Sequence, residues 1–187
     1  AVEAGYKEVT LLGQNVNSYR YEKYKFPQLL ENIANIPKLE RIRYTSPHPE
    51  DINDELLRIM SKYDNICNYV HLPLQSGSNK ILKRMNRSYS KEHFLSLANR
   101  IRNALPNVGI STDIIVGFPG ESDNDFDETL DVMKKVEFDS AFNFKYSVRR
   151  GTKASEYEDQ IPEKIKQERL QRVIDLQKEH TLNRNLK

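Results

Sequence analysis

A glycine-rich turn follows the apolar residues of segment 113–121, DIIVGFPGE, and leads into a helical pattern. A strand that runs through such a turn into a helix is a common place for a phosphate or a dinucleotide. A phosphate loop needs a lysine after its glycines, and the dinucleotide fingerprint needs the spacing G-x-G-x-x-G. This segment has neither, and it ends on Glu121, whose carboxylate would repel a phosphate. The residues predict either a site for an amine or ribose hydroxyl, or a structural turn whose acid favours the helix dipole.

A second polar segment, QSGS at 75–78, also follows an apolar run. Small residues there leave backbone amides and hydroxyls available to a polar ligand, although Ser76 or Ser78 could equally cap the next helix. Among the nearby cations, Lys83 and Arg84 fit a solvated helix face. Arg87 and Arg149 come just after an element ends, where a guanidinium suits a carboxylate or a phosphate.

The thiol and imidazole side chains exclude several site types. Cys67 is the single cysteine, so no disulfide can form within the chain. One thiolate also cannot build a zinc or iron–sulfur site by itself. His48, in a loop between prolines, is a better candidate for a binding site than His71, which lies within a predicted strand. The sequence G-x-S-x-G of a serine nucleophile does not occur.

The composition and the first residues limit the classes of protein to which this chain can belong. The chain has 37% hydrophobic and 30% charged residues and a net charge of +2, which is typical of a soluble globular protein and permits an RNA partner without requiring one. Its single cysteine makes a cytoplasmic setting the simplest interpretation. No apolar run approaches the roughly 20 residues of a membrane helix. The first residue is not methionine, and residues 2–5 resemble the last turn of a helix closed by Gly5. We therefore expect a fragment of a larger protein.

Strand and helix patterns alternate along the chain, which favours an α/β fold with a parallel sheet and right-handed crossovers. Polar loops follow each strand end, and such loops share one rim in a (β/α) barrel. In an open sheet they would cluster mainly at one switch point. We predict a partial TIM-like barrel over residues 1–177, and a linker over 178–187. The strands are expected near 8–12, 41–45, 69–72, 108–116 and 141–146, with helices at 27–35, 54–63, around 81–85, at 90–105, and after Ser122 and Pro162.

Five blocks of sequence resemble one family over nearly the whole chain. They are LLGQNVNSY (11–19), RIRYTSPHP (41–49), HLPLQSGSNKILKRMNRSYS (71–90), STDIIVGFPGES (111–122) and YSVRRGTKA (146–154). Together they resemble the methylthiotransferase branch of the radical S-adenosylmethionine (SAM) enzymes. The block GQNVNSY is most similar to the members that add a methylthio group to N6-isopentenyladenosine at tRNA position 37. Members that act on threonylcarbamoyl-adenosine or on a ribosomal protein differ in that loop.

The resemblance implies a partial (β/α)6 barrel of the radical SAM type that reductively cleaves SAM on a [4Fe–4S] cluster. The resulting 5′-deoxyadenosyl radical abstracts hydrogen from C2 of the target adenine, and a second [4Fe–4S] cluster delivers sulfur. The family holds the first cluster with a C-x-x-x-C-x-x-C motif after the first strand. An N-terminal domain supplies three cysteines for the second cluster, and a C-terminal TRAM domain helps bind RNA. The implied partner is the anticodon loop of tRNA, and we expect a monomer.

This chain lacks C-x-x-x-C-x-x-C, so no residue is assigned as a metal ligand or as a catalytic group. The resemblance implies that it begins after the cluster loop of the first strand and stops in the linker before the TRAM domain. We therefore expect the isolated chain to be inactive, although the resemblance implies that the full-length protein is an enzyme. The positions that carry over are strand-end residues expected to bind SAM. Gly13, Gln14 and Asn15 match the family motif that faces the methionine amine of SAM. Ser46 and His48 match the end of the third strand, Gln75 and Ser76 match the end of the fourth, and Gly117 matches the glycine motif beside the adenine. Arg87 and Arg149 are candidates for binding the SAM carboxylate or substrate phosphates.

Two further function classes remain open from the residues. An aldolase- or phosphatase-like barrel would need a Schiff-base lysine or paired carboxylates within its strands, where only Lys145 and Asp113 are available. A cluster-free RNA-binding module would bind RNA with a steep salt dependence and would not bind SAM. The exposed tyrosines at 19, 21 and 24 could stack on bases or pack against another domain.

Overall fold

The computed structural model describes residues 2–45 and 47–186. The five predicted strands and the predicted helices occur in the expected order, and a short hairpin that the sequence did not predict is added to them. By internal contacts the chain forms two compact units. The first comprises the residues up to Leu72 with Arg100–Gly109, and the second comprises Pro73–Asn99 with the chain from Ile110 onward. Chain length alone favoured one domain.

The first unit is built around two parallel strands. Strand β1 (Glu8–Leu11) pairs with β4 (Arg41–Tyr44) in the register Glu8↔Arg41 to Leu11↔Tyr44. Helices α1 (Phe26–Ala34) and α2 (Asp54–Lys62) bury apolar faces, with Phe26, Leu30 and Leu56 fully buried. Asn53 caps α2 by accepting a hydrogen bond from Leu56 N over 2.9 Å. Strand β5 (Tyr69–His71) closes the unit's first segment.

A small hairpin replaces the loop expected around the tyrosines. Strands β2 (Arg20–Tyr21) and β3 (Tyr24–Lys25) are antiparallel, with Arg20 opposite Lys25 and Tyr21 opposite Tyr24. The turn between them places Glu22 at φ 52°, in the left-handed region. Hairpin turns usually use Asn or Gly there, so the sequence carried no turn signal.

The second unit contains a parallel β–α–β crossover. Strand β6 (Gly109–Val116) pairs with β7 (Ser140–Lys145), and α5 (Asp123–Val136) connects them. Ser122 is the predicted N-cap: its Oγ accepts from Asp125 N at 3.2 Å, while Ser122 N donates to Asp125 Oδ2 at 2.9 Å. Two helices precede the crossover in sequence, α3 (Asn79–Arg84) and α4 (Lys91–Ala104).

The last helix, α6 (Glu163–Asn185), begins after Pro162 as predicted and buries Val173 completely. Residues 178–185, expected to form a linker, continue this helix. Gln177 Nε2 donates to Phe138 O over 2.8 Å, which ties the helix to the start of the β7 segment. In the described part of the chain, no helix is both long and apolar enough to cross a membrane.

Candidate SAM-binding site

A cavity of about 650 Å³ lies within the second unit, and three of the predicted site residues line it: Gln75, Arg87 and Arg149. Its volume falls in the range of about 300–1,000 Å³ that is typical of small-molecule pockets. The remaining wall combines apolar and polar side chains from the ends of β6 and β7. They include Asp113, Ile115, Phe118, Phe144, Tyr146 and Ser147.

Gln75 holds its place through the backbone rather than the side chain. Its N–H donates to Asp113 O over 2.8 Å, and its carbonyl accepts from Ile115 N over 2.9 Å. Gln75 adopts φ 67°, which is left-handed and costs a residue with a Cβ of order 1–3 kcal/mol. Strain of this kind is retained where surrounding structure over-determines it, and it clusters at ligand sites.

Tyr89, which sequence reasoning did not single out, anchors the chain just before Gln75. Its hydroxyl donates to Pro73 O at 2.9 Å and to Leu74 O at 3.2 Å. Burial raises the pKa of Tyr89 to about 12, so the phenol stays protonated and keeps donating at physiological pH. No local pattern marks this role, because a tyrosine after a helix is ambiguous until its contacts are known.

Ser76 and Gly77 contact α5. Ser76 is fully buried, and its Oγ lies 3.4 Å from Thr129 Oγ1, which also accepts from Gly77 N at 2.9 Å. A Cβ on Gly77 would come within 2.5 Å of the Glu128 carbonyl oxygen and of Thr129 Cα. Only glycine therefore allows this loop to lie so close to the α5 backbone.

The turn that contains Gly117 is fastened to α6. Glu121 is buried; its Oε2 accepts from Gly117 N at 2.7 Å and from Arg169 Nη1 at 2.7 Å. Burial raises the pKa of Glu121, and the Gly117 hydrogen bond and the Arg169 charge offset this only in part. A Cβ on Gly117, which has φ +69°, would lie 2.4 Å from Lys166 Cγ. The sequence left Glu121 as either a ligand-binding acid or part of a structural turn. Its contacts fit the second alternative, because the carboxylate binds the chain's own turn and α6.

The structure changes which of the arginines are assigned to the cavity. Arg84, assigned to a solvated helix face, lines the cavity, pairs with Asp159 Oδ1 at 2.6 Å and lies 4.4 Å from the Tyr157 ring centroid. Arg87 and Arg149 are exposed and form no side-chain hydrogen bond or ion pair with another described residue. Their charges remain available to an anionic group. Arg84 could not be found from sequence because Asp159 lies 75 residues further along.

Four more predicted residues, Gly13, Gln14, Asn15 and His48, lie in the first unit. Gly13, Gln14 and Asn15 are exposed, and Ser46 lies outside the described residues. Asn17, which sequence reasoning missed, joins their loop to His48: Asn17 Nδ2 donates to His48 O at 2.9 Å, and His48 N donates to Asn17 Oδ1 at 2.7 Å. These reciprocal bonds fix the backbone of both loops, while His48 Nδ1 accepts from Glu50 N at 3.3 Å.

No iron–sulfur cluster fits the residues that this chain offers. Cys67 is its one cysteine, and it is half-buried and free. Within 2–45 and 47–186, no group of three or more His, Cys, Asp or Glu side chains could hold a metal ion. Lys145, the strand lysine that an aldolase-like site would need, is paired with Glu163 of α6.

Comparison with known proteins agrees with this architecture. The family model described as "Radical SAM superfamily" matches residues 1–133. The chain is 49% identical over 187 residues to a tRNA-2-methylthio-N(6)-dimethylallyladenosine synthase of Clostridium botulinum (strain Okra / Type B1), covering 98% of this chain and 42% of that protein. It is 50% identical over 186 residues to the enzyme of the same name from Thermoanaerobacter sp. (strain X514), covering 98% of this chain and 40% of the relative.

One solved structure shows the same fold at low sequence identity. Coproporphyrinogen III oxidase (HemN) from Escherichia coli, described as a radical SAM enzyme, aligns with a TM-score of 0.56 and 13% identity, over 92% of this chain and 52% of that one. The predicted α/β fold of the radical SAM type is thus confirmed. The chain spans about 42% of the length of the C. botulinum relative. With the family model matching more than half of its residues, the chain belongs to the radical SAM superfamily.

Proposed function

We propose that this chain is the SAM-binding core of a methylthiotransferase that modifies N6-dimethylallyladenosine in tRNA. The observation that carries the proposal is the identity of 49% across 98% of the chain to a synthase named for that product. Residues 1–177 would form the core, and 178–187, of which 178–185 continue α6, would form the connection to a following segment. In the whole protein, which we propose acts in the cytoplasm as a monomer, segments outside this chain would hold two [4Fe–4S] clusters and a TRAM domain.

The cavity of the second unit fits SAM chemically. The Phe118 and Phe144 rings offer an apolar wall for an adenine, and Phe118 is held edge-on to Tyr146 with ring centroids 5.0 Å apart. Arg87 and Arg149 supply unpaired positive charge at the same cavity, suited to the methionine carboxylate. When bound, SAM supplies the adenosyl group that the reaction consumes.

In this proposal the chain's own residues bind SAM and orient it. The left-handed Gln75 and the Tyr89 hydroxyl hold one strand end in place, and the Glu121–Arg169 pair holds the Gly117 turn. Because the chain offers no ligand set for a cluster, we expect it to bind SAM without cleaving it.

The test is a calorimetric titration of the chain with SAM, with S-adenosylhomocysteine as a second ligand. Saturable one-to-one binding supports the proposal, and lack of binding by a folded chain refutes the SAM site. A second measurement addresses the missing chemistry. After anaerobic incubation with iron and sulfide and removal of the excess, we expect no retained iron and no SAM cleavage; 5′-deoxyadenosine formation would contradict that expectation.

A further inference from the structure

The hairpin β2–β3 presents aromatic rings and cations that the SAM site does not use. Tyr21 and Tyr24 lie opposite each other in the register, so their side chains share one face of the hairpin. Tyr21 is 61% exposed and Tyr24 is 40% exposed, and neither ring packs against another aromatic ring in the described part of the chain. Tyr19, next to the hairpin, is 39% exposed. Part of each of these three tyrosines therefore remains accessible to solvent or to a partner.

The other face of the hairpin carries like charges. Arg20 lies directly opposite Lys25, and Lys23 occupies the turn with its Nζ 5.7 Å from the Tyr24 ring centroid. Like charges directly opposite on a ladder destabilise it. In the portion of the chain that the structure describes, these three cations form no ion pair with a carboxylate. With Glu22 as its single acidic residue, the segment 20–25 keeps a net positive charge, which an anionic partner would neutralise.

We propose that the hairpin β2–β3 binds a single-stranded segment of RNA, with bases stacked on Tyr21 and Tyr24 and phosphates near Arg20, Lys23 and Lys25. Every base has a face that stacks on an aromatic ring, and phosphates pair with Arg and Lys. A protein partner fits less well, because the cores of protein interfaces are depleted of Lys and Glu. The segment RYEKYK at 20–25 contains no apolar residue besides its tyrosines. The inference rests on the proposed RNA-modifying function and adds a contact surface to it.

The first experiment measures affinity of the chain for a labelled anticodon stem–loop RNA by fluorescence anisotropy. We expect Tyr21→Ala and Tyr24→Ala each to weaken binding roughly 5- to 150-fold, the range for loss of one base–aromatic stack. Tyr21→Phe should bind within about twofold of the parent, since the ring face is kept. Tyr6→Ala is the matched control, because Tyr6 is 65% exposed elsewhere in the first unit and should leave affinity unchanged.

The second experiment tests the cations. Each phosphate neutralised on a single strand contributes about 0.7 to the slope of log affinity against log salt, so the double variant Arg20→Gln/Lys25→Gln should reduce the slope by about 1.4. Lys164→Gln, an exposed lysine in the first turn of α6, should leave the slope unchanged.

Two results would overturn the inference. One is that the hairpin variants bind RNA as the parent does, which would assign the rings to another partner; the other is that the folded parent does not bind this RNA. SAM titration of the same variants keeps the two proposals apart. Retained SAM binding with unaltered RNA affinity refutes only the hairpin surface, whereas absence of SAM binding by the folded parent refutes the proposed SAM site.

Discussion

Arg169 of α6 donates from Nη1 to Oε2 of Glu121 over 2.7 Å, and the two side chains are only 6% and 1% exposed. Nη1 also donates to the Glu121 carbonyl oxygen at 2.9 Å, and Nη2 pairs with the exposed Asp123 at 2.7 Å. One guanidinium thus spans the end of the Gly117 turn and the first turn of α5. The same carboxylate oxygen accepts from Gly117 N. Helix α6 therefore helps to hold in place a turn that adjoins the cavity.

Replacing Arg169 by Met should strongly destabilise the second unit. Removal of one partner leaves the Glu121 carboxylate buried without its counter-charge, and breaking such pairs costs about 3–5 kcal/mol. The measurement is the free energy of unfolding from urea denaturation. Lys135→Ala is the control, because it removes an exposed i,i+4 pair with Asp131 and should cost only about 0.3–0.5 kcal/mol. Equal losses in the two variants would show that the Arg169 pair is no more than a surface contact.

Local sequence patterns predict the helices and strands of this fold but not the long-range side-chain contacts that hold them together. The apolar run before Gly117 predicts β6 and the helical spacing of apolar residues predicts α5, and Ser122 is predictable as a cap because its contacts are local. Glu121 and Arg169 are 48 residues apart, so no window of sequence joins them. The same holds for Arg84 with Asp159, and for Gly77, whose requirement comes from the α5 backbone rather than from its own turn.

The hairpin and the division into units escaped prediction for a different reason. Glu22 adopts the left-handed conformation of a hairpin turn, which a glycine or an asparagine at that position would have allowed the sequence to predict. The boundary at Leu72 lies immediately after β5, where the sequence continues with Pro73 and no flexible linker. Chain length could not reveal it, because length constrains the number of domains only loosely.

Stability of the second unit should depend on acidity through Asp125. Burial raises the pKa of Asp125, but hydrogen bonds from Ser122, Ser78 and Lys80 outweigh it, so the pKa lies well below the ordinary value. A lowered pKa contributes stability that is present above the unfolded value, about 3.9, and is lost as pH falls through the folded one. Asp125→Asn should therefore reduce the free energy of unfolding at pH 7 by roughly 1.5–3 kcal/mol, the range for hydrogen bonds to a charged group.

The pH profile identifies the cause of this loss. The difference between the parent and Asp125→Asn should stay constant from pH 7 down to about pH 5 and shrink only below the ordinary carboxyl range. Asp127→Asn on the same helix is the control, since Asp127 is exposed and pairs with Arg172 at the surface. A difference for Asp125→Asn that does not change at acid pH would assign its effect to packing instead of charge.

Arg149 and the adjacent Arg150 provide a matched pair for testing the SAM site. Both are exposed, but only Arg149 lines the cavity of the second unit. A charge-assisted hydrogen bond to a carboxylate is worth about 1.5–3 kcal/mol, so Arg149→Gln should weaken SAM binding by roughly 10- to 150-fold. Arg150→Gln removes the same charge from the same loop and should leave the dissociation constant within about twofold, because an exposed charge off the site is largely screened.

The measurement is calorimetric titration of both variants, with 5′-deoxyadenosine as a second ligand that lacks the carboxylate. The affinity for 5′-deoxyadenosine should not change in either variant. If Arg150→Gln weakened SAM binding as much as Arg149→Gln, the cation would act only through the general field of the loop, and the carboxylate would have to bind at Arg87 or elsewhere.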